Sequence, residues 1–403
     1  MVATVEPLPG LSFGCRVSGV DLGPGMSEAD FAVVSAAFEE YALVMLEEQH
    51  ALTPADEVDL RSRLLRLWPQ SQPQDGSGSG SDSDDEDGSA PPRPGKPDGF
   101  SELSIFGNGR VDGHFGIFDY VARPANWHEE KSLEWHLDGP SGRRGDCVLS
   151  YMSCWKAPTA APWGHVSYEA ADGSGATLSY DFAAGATLFA DNRLAYELAP
   201  PEEKVLLRTL QARYWGKSYA RGRDSYPLMS DSGLRVVHPP ADLSELDMDV
   251  SWTQPLVLDN PGTGKSSIWC ETVMLARLEP MDGCHGEALS WEDSQALIAR
   301  VWGRAATQEN ILAVDWRPGQ VIFWDNRSLL HSRTPTDYYS TPLDKSKPDG
   351  SVEYTAEGPG MQRLMHNMRI SVDVDAQSSF ELQVHPLTAA ATADATAGAA
   401  ARL

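Results

Sequence analysis

In the stretch Trp135-His136-Leu137-Asp138-Gly139 an imidazole and a carboxylate stand two residues apart. On a strand, residues i and i+2 point to the same face, so both side chains can reach one metal ion. A neutral nitrogen beside a hard oxygen suits Fe(II), Mn(II) or Zn(II). Two ligands do not complete a site. The best third ligand is His331, far downstream in Trp324-Asp325-Asn326-Arg327-Ser328-Leu329-Leu330-His331. A chain that uses all three must fold so that these distant stretches meet. Two histidines and one carboxylate on one face of an octahedron form the facial triad of non-haem Fe(II) oxygenases, which keeps positions open. His-x-Asp alone is weak evidence, and the rest of the chain has to decide.

A chain of 403 residues that is 41% hydrophobic can bury a substantial core. The net charge of −26 argues against nucleic acid and anionic membranes as partners, since both reward positive charge. The cysteines Cys15, Cys147, Cys154, Cys270 and Cys284 are odd in number and include no Cys-x-x-Cys pair. A reducing compartment follows. The N-terminal residues lack the pattern of a signal or transit peptide, and no apolar run reaches spanning length. A soluble, cytoplasmic protein is expected, with homo-oligomerisation left open.

Ser27 and Thr53-Pro54 read as helix starts, and Ala42 to Leu46 as a buried strand. Pro69 to Gly99 is a Gly/Ser/Pro stretch with an acidic cluster from Asp82 to Asp87, and it is expected to be a disordered insertion. From Ser101 the pattern is mostly β, with strands expected at Leu103 to Phe106, Leu133 to Leu137, Cys147 to Trp155 and Gly185 to Phe189. Asp191 caps a helix, Pro200-Pro201 begins another, and Ser290 caps a third. Further strands are expected near Leu234 to Val237, Pro255 to Leu258 and Ser267 to Trp269, then within Ile311 to Arg333 and from Met361 to Val374. Gly164 to Tyr180 and Tyr338 to Gly360 read as polar surface loops, and Thr388 to Leu403 as a frayed tail. The expected architecture is mainly β with flanking α, a double-stranded β-helix or cupin-like jelly roll. It would form one domain over 1–387, interrupted at 69–99, 164–180 and 338–360, with an Ala-rich tail over 388–403.

Taken in order, these pieces resemble the taurine dioxygenase (TauD/TfdA) family of Fe(II)/2-oxoglutarate dioxygenases. The matching segments are Val17 to Leu22, the strand ending Met45-Leu46, and Trp135-His136-Leu137-Asp138. Gly185-Ala186-Thr187-Leu188-Phe189 follows, with Ala195-Tyr196-Glu197 after it. The most specific match is Trp316-x-Pro318-Gly319 with Trp324-Asp325-Asn326-Arg327 and His331, and Arg363-Leu364-Met365-His366 comes last. The resemblance implies Fe(II) on His136, Asp138 and His331. It implies 2-oxoglutarate as cosubstrate, its C5 carboxylate on Arg363 assisted by Thr187, and ascorbate as reductant. Succinate and CO2 would be released as a small anionic organic substrate, met with dioxygen, is hydroxylated. Alternatives are a protein or peptide hydroxylase, or a non-catalytic metal-binding jelly roll. Three features depart from the family pattern. The gap from His331 to Arg363 is long. The position four residues after Arg363, where taurine-type members carry a substrate-binding Arg, is Asn367, with Arg369 as a substitute on the same face and a second candidate for 2-oxoglutarate. Ser132 stands where an Asn contacts taurine.

Other motifs are weaker. Gly262-Thr263-Gly264-Lys265-Ser266 hints at a phosphate loop but lacks the first glycine and a following helix. His128, His165, His238 and His285 read as surface residues, and Trp324 to Arg327 as scaffold. Tyr214, Trp215 and Tyr219 fit a substrate pocket or the core equally well.

Overall fold

The structure, a computed structural model, describes residues 2–65, 97, 100, 102–111, 113–117, 120–122, 133–139, 146–157, 163–171, 174–183, 185–214, 229–237, 251–260, 263–334 and 363–372. In chain order the elements begin with β1 (Thr4–Pro7), β2 (Cys15–Ser18), α1 (Glu28–Tyr41), β3 (Leu43–Leu46) and α2 (Pro54–Leu64). Then come β4 (Ser104–Val111), β5 (Tyr120–Ala122), β6 (Asp146–Lys156), β7 (Trp163–Glu169), β8 (Thr177–Ala183) and β9 (Thr187–Asp191). Helices α3 (Asn192–Glu197) and α4 (Pro201–Thr209) lead to β10 (Leu210–Tyr214), β11 (Trp252–Pro255), β12 (Val257–Asn260), β13 (Lys265–Ile268) and β14 (Leu275–Pro280). The chain continues through α5 (Trp291–Gly303), β15 (Ile311–Val314), β16 (Val321–Asp325), β17 (Leu329–Arg333) and β18 (Arg363–Val372).

Local chemistry sets the helix ends. Ser27 accepts from Asp30 N–H at the start of α1, and Ala42 stops that helix in the left-handed region at φ 62°. Thr53 and Asp56 form a reciprocal capping box at α2, with Pro54 in the first turn.

Alternation along the strands builds two facing sheets. The larger runs β1-β2-β3-β16-β6-β18-β4-β5, and the smaller runs β15-β9-β17. Their inner faces share one core, including Met45, Met152, Phe189, Ile322, Trp324 and Met365. The outer face of the large sheet buries Val44, Tyr151 and Phe323 under α1 and α2 through Val34, Phe38, Leu60 and Leu64. The outer face of the small sheet, through Leu188, Ala190 and Leu330, packs on a third cluster that holds Trp302 of α5, Tyr214 and Trp135. This is a mainly β, double-stranded β-helix core with flanking helices, as the sequence predicts.

Several expectations change. Gly164 to Tyr180 is no loop: β7 and β8 pair from Trp163↔Ala183 to Glu169↔Thr177. Val166, Tyr168 and Phe182 alternate inward there, a period of two that the Gly and Ala content obscured. Leu133 to Leu137 is not a ladder strand, because only the His136↔His331 bridge pairs it. Leu234 to Val237 likewise holds only the Met229↔Val236 bridge. Strands β1, β10 and β14 lie outside the strands expected from the sequence. The glycine-rich stretch near Lys265 is the β12–β13 hairpin with no helix after it, which removes the phosphate-loop reading. Most of 69–99, and all of 338–360 and 388–403, lie outside the described residues, as do Ser132, His128, Trp215, Tyr219 and His238. No helix among the described residues is long and apolar enough to cross a membrane.

Candidate metal centre

His331 sits in the middle of β17, opposite Phe189 of β9. Trp324 meets its ring edge-on at 5.1 Å, which fixes its orientation from the inner core. The segment carrying His136 and Asp138 docks on that strand through reciprocal backbone bonds. His136 N–H donates to His331 O at 2.9 Å, and His331 N–H donates to His136 O at 3.1 Å. The two imidazoles come to 4.1 Å between centroids. Asp138 lies beyond the bridge, and Asn326 holds its backbone on both sides. Asn326 Oδ1 accepts from Asp138 N–H at 2.8 Å, while Nδ2 donates to Asp138 O at 2.7 Å and to Cys147 O at 2.8 Å.

Ligand atoms of His136, Asp138 and His331 all lie within 4.8 Å of one another. His136 Nδ1 faces the Glu134 carbonyl at 3.0 Å, which fixes the tautomer and leaves Nε2 for a metal. His331 Nε2 faces Asp138 Oδ2 at 3.7 Å. The Asp138 carboxylate is gripped by Arg369 Nη2 on Oδ1 at 2.5 Å and by Ser150 Oγ on Oδ2 at 2.5 Å. Burial alone would raise its pKa, but Arg369, then His331 and His136, and the Ser150 hydrogen bond hold it well below the usual carboxylate range. Burial first, then His136, lowers His331 to about 3, against the opposing pull of Asp138. The cluster therefore offers one ionised carboxylate and a neutral imidazole at His331. Two nitrogens and one hard oxygen fit Fe(II) or Mn(II).

A second polar group lies on the same inner face. Thr187 is two residues from Phe189 along β9, so it stands roughly 7 Å from the position opposite His331. Its hydroxyl accepts from Trp316 Nε1 at 2.9 Å and from Arg363 Nη2 at 3.2 Å. Arg363 is buried, with its guanidinium 5.9 Å from the centre of the Trp316 ring. A guanidinium is suited to grip a carboxylate through two parallel hydrogen bonds. Arg363 and Thr187 are thus brought together, whereas Arg369 lies six residues along β18 and reaches Asp138 instead.

Sequence reasoning missed Ser150 and the Arg369–Asp138 contact, which join residues with no shared motif. Asn326 was legible as scaffold, though not its partner. Tyr214 belongs to the core, fully buried with its hydroxyl accepting from Glu271 N–H. His165 is exposed on the β7–β8 hairpin beside Asp181 and Ser179, and His285 is also exposed.

A double-stranded β-helix with two histidines and one carboxylate on its inner face has the architecture of the non-haem metal oxygenases. The model described as "Taurine catabolism dioxygenase TauD, TfdA family" matches residues 165–345. The alpha-ketoglutarate-dependent xanthine dioxygenase xanA of Emericella nidulans is 23% identical over 351 residues, covering 82% of this chain and 91% of that protein. An (S)-phenoxypropionate/alpha-ketoglutarate-dioxygenase of Sphingobium herbicidovorans is 30% identical over 160 residues, 38% of this chain and 48% of that protein. Among solved structures, AAD-2 in complex with Mn(II) and N-oxalylglycine superposes with TM-score 0.55 at 18% identity, covering 92% of this chain and 98% of that one. Residues 165–345 thus match the TauD/TfdA family model, and over most of its length the chain is similar to a 2-oxoglutarate-dependent dioxygenase, an oxidoreductase.

Proposed function

We propose that His136, Asp138 and His331 hold Fe(II), that Arg363 and Thr187 hold the C5 carboxylate of 2-oxoglutarate, and that the substrate is a small organic anion. The observation that carries this reading is the three-ligand cluster, with the Arg363–Thr187 pair about 7 Å along the same inner face. When bound, the metal and cosubstrate supply hydroxylation of a C–H bond, coupled to decarboxylation of 2-oxoglutarate to succinate and CO2. The chain's own residues bind and orient. Asn326 and Ser150 hold Asp138, the Glu134 carbonyl sets the His136 tautomer, and Trp324 packs His331.

The substrate class follows from charge. Asn367, on the inner face of β18, can hydrogen-bond but carries no charge. Arg369 is partly exposed, is paired to Asp138, and is the cation nearest the triad among the described residues. With the C5 carboxylate on Arg363, Arg369 supplies the charge partner for a substrate anion. The named relatives act on xanthine and (S)-phenoxypropionate, small molecules rather than proteins.

The test is a panel of small carboxylates, phenoxyacetates, purines and sulfonates, scored by succinate release with Fe(II), ascorbate and 2-oxoglutarate. Turnover is expected on an anion, lost in His136→Ala, Asp138→Ala and His331→Ala and reduced in Arg369→Ala. Taurine is expected to be a poor substrate. Retained turnover in Asp138→Ala, or efficient taurine turnover unaffected by Arg369→Ala, would refute the assignment.

A further inference from the structure

On the opposite face of β18 lies a second buried polar cluster that no step above uses. Glu57 of α2 reaches down onto the large sheet. Its Oε2 pairs with His366 Nδ1 at 2.6 Å, and its Oε1 accepts from Tyr151 Oη at 2.9 Å and from Ser153 Oγ. His366 Nε2 lies 2.8 Å from His114 Nε2, within hydrogen-bond distance. His114 stacks flat on Trp155, 3.4 Å between centroids at 15°. Glu57, His366 and His114 are all buried.

Trp155 is not an ordinary strand residue. Across β6 and β18, Leu364 pairs with Lys156 and Met365 with Cys154, so Trp155 is the extra residue of a β-bulge. A bulge re-aims the side chains beside it, and this one lies one residue from Arg363. The His114 turn is itself strained, since Phe115 sits at φ 44°, a region that bulky residues rarely adopt. Burial, then His366 and Lys156, lowers His114 to about 4, so a neutral ring lies against Trp155. A buried carboxylate is seldom the most stable way to fill a core, so its three donors from two strands call for a reason beyond packing.

We propose that Glu57, His366 and His114 are positioning residues for Arg363. Through Trp155 they pin the bulge that aims the guanidinium at the C5 carboxylate of 2-oxoglutarate. The inference rests on Arg363 being that anchor. Glu57→Gln keeps the shape of the group but removes the charge that gathers the three donors. His114→Phe keeps a ring against Trp155 but cuts the link to His366.

The experiment is anaerobic titration of the full chain with Mn(II) alone, then with 2-oxoglutarate on the Mn(II)-loaded protein, beside a thermal melt. Both variants are expected to bind Mn(II) as the unaltered protein does and to bind 2-oxoglutarate more weakly by on the order of tenfold or more. A 2-oxoglutarate affinity within about twofold of the unaltered protein in both variants would overturn the relay. So would a parallel loss of Mn(II) and 2-oxoglutarate binding in both, which would mark general damage to the fold. Arg363→Gln is the control. If it retains 2-oxoglutarate affinity, the anchor reading itself falls. If it loses affinity while the other two variants keep it, only the relay falls.

Discussion

Asp138 is the buried carboxylate of the candidate site, and its neighbours do more to define it than its own spacing does. Asn326 satisfies its backbone N–H and carbonyl while also tying Cys147, so one amide joins the metal segment to β6. Asn326→Ala leaves three buried groups without that partner, at about 1–3 kcal/mol each where water cannot replace it. A clear drop in melting temperature and weaker Mn(II) binding are expected. Unchanged Mn(II) affinity by titration would show that Asp138 holds its place without the clamp. The pH response is also set here. His114 and His331 have pKa values lowered to about 4 and about 3, below the ordinary 6.5. Between those values and 6.5 the unfolded chain binds more protons than the metal-free folded one, so stability rises with pH in that window. It is lost as pH falls from 6.5 toward 4, each imidazole adding a slope approaching about 1.4 kcal/mol per pH unit. Denaturant melts of the metal-free protein at pH 7 and pH 5 check the sign, and greater stability at pH 5 would contradict it.

The elements show how much was legible beforehand and what was not. The helices at Ser27, Thr53 and Ser290 were readable because each start is written locally, in a cap and the residues just after it. The order of the motifs likewise pointed to His136, Asp138 and His331. The route by which Asp138 is presented was not readable. Besides its bridge to β17 and the Asn326 clamp, the segment is supported by Gly233, whose carbonyl accepts from Trp135 N–H at 2.8 Å. Gly233 sits at φ 71°, and a Cβ there would lie 2.2 Å from Leu133 O. No local pattern links residue 233 to residue 133, so a close backbone approach of this kind is invisible in the sequence. Gly233→Ala should therefore push the metal segment off its seat, through both strain and clash, while β9, β17 and β18 persist. Weakened Mn(II) binding with retained β-sheet circular dichroism is the expected result. Full Mn(II) affinity would mean that the segment is held elsewhere. The Glu57–His366–His114 cluster was hidden for the same reason, because its members come from α2, a turn and the last strand.

At the scale of the whole molecule, the proposed metal ligands and the proposed 2-oxoglutarate anchor come from stretches far apart in the chain. His331 belongs to the small sheet, His136 and Asp138 to the segment bridged to it, and Arg363, the proposed anchor for 2-oxoglutarate, to the large sheet. A metal that needs His136, Asp138 and His331 together binds the folded chain and not the unfolded one, so its affinity becomes folding free energy. At a hundredfold excess over its dissociation constant, Mn(II) adds about 2.7 kcal/mol, and 2-oxoglutarate bound on top of it adds a comparable increment. A domain of this size converts such increments into shifts of several degrees in melting temperature. Two successive upward shifts are expected in the unaltered protein. Asp138→Ala should lose both, because without the metal 2-oxoglutarate keeps only its distal grip. Arg363→Gln should keep the first and lose most of the second. A full Mn(II) shift in Asp138→Ala would place the stabilising metal elsewhere on this strongly acidic chain, and the three-residue cluster would no longer be its site.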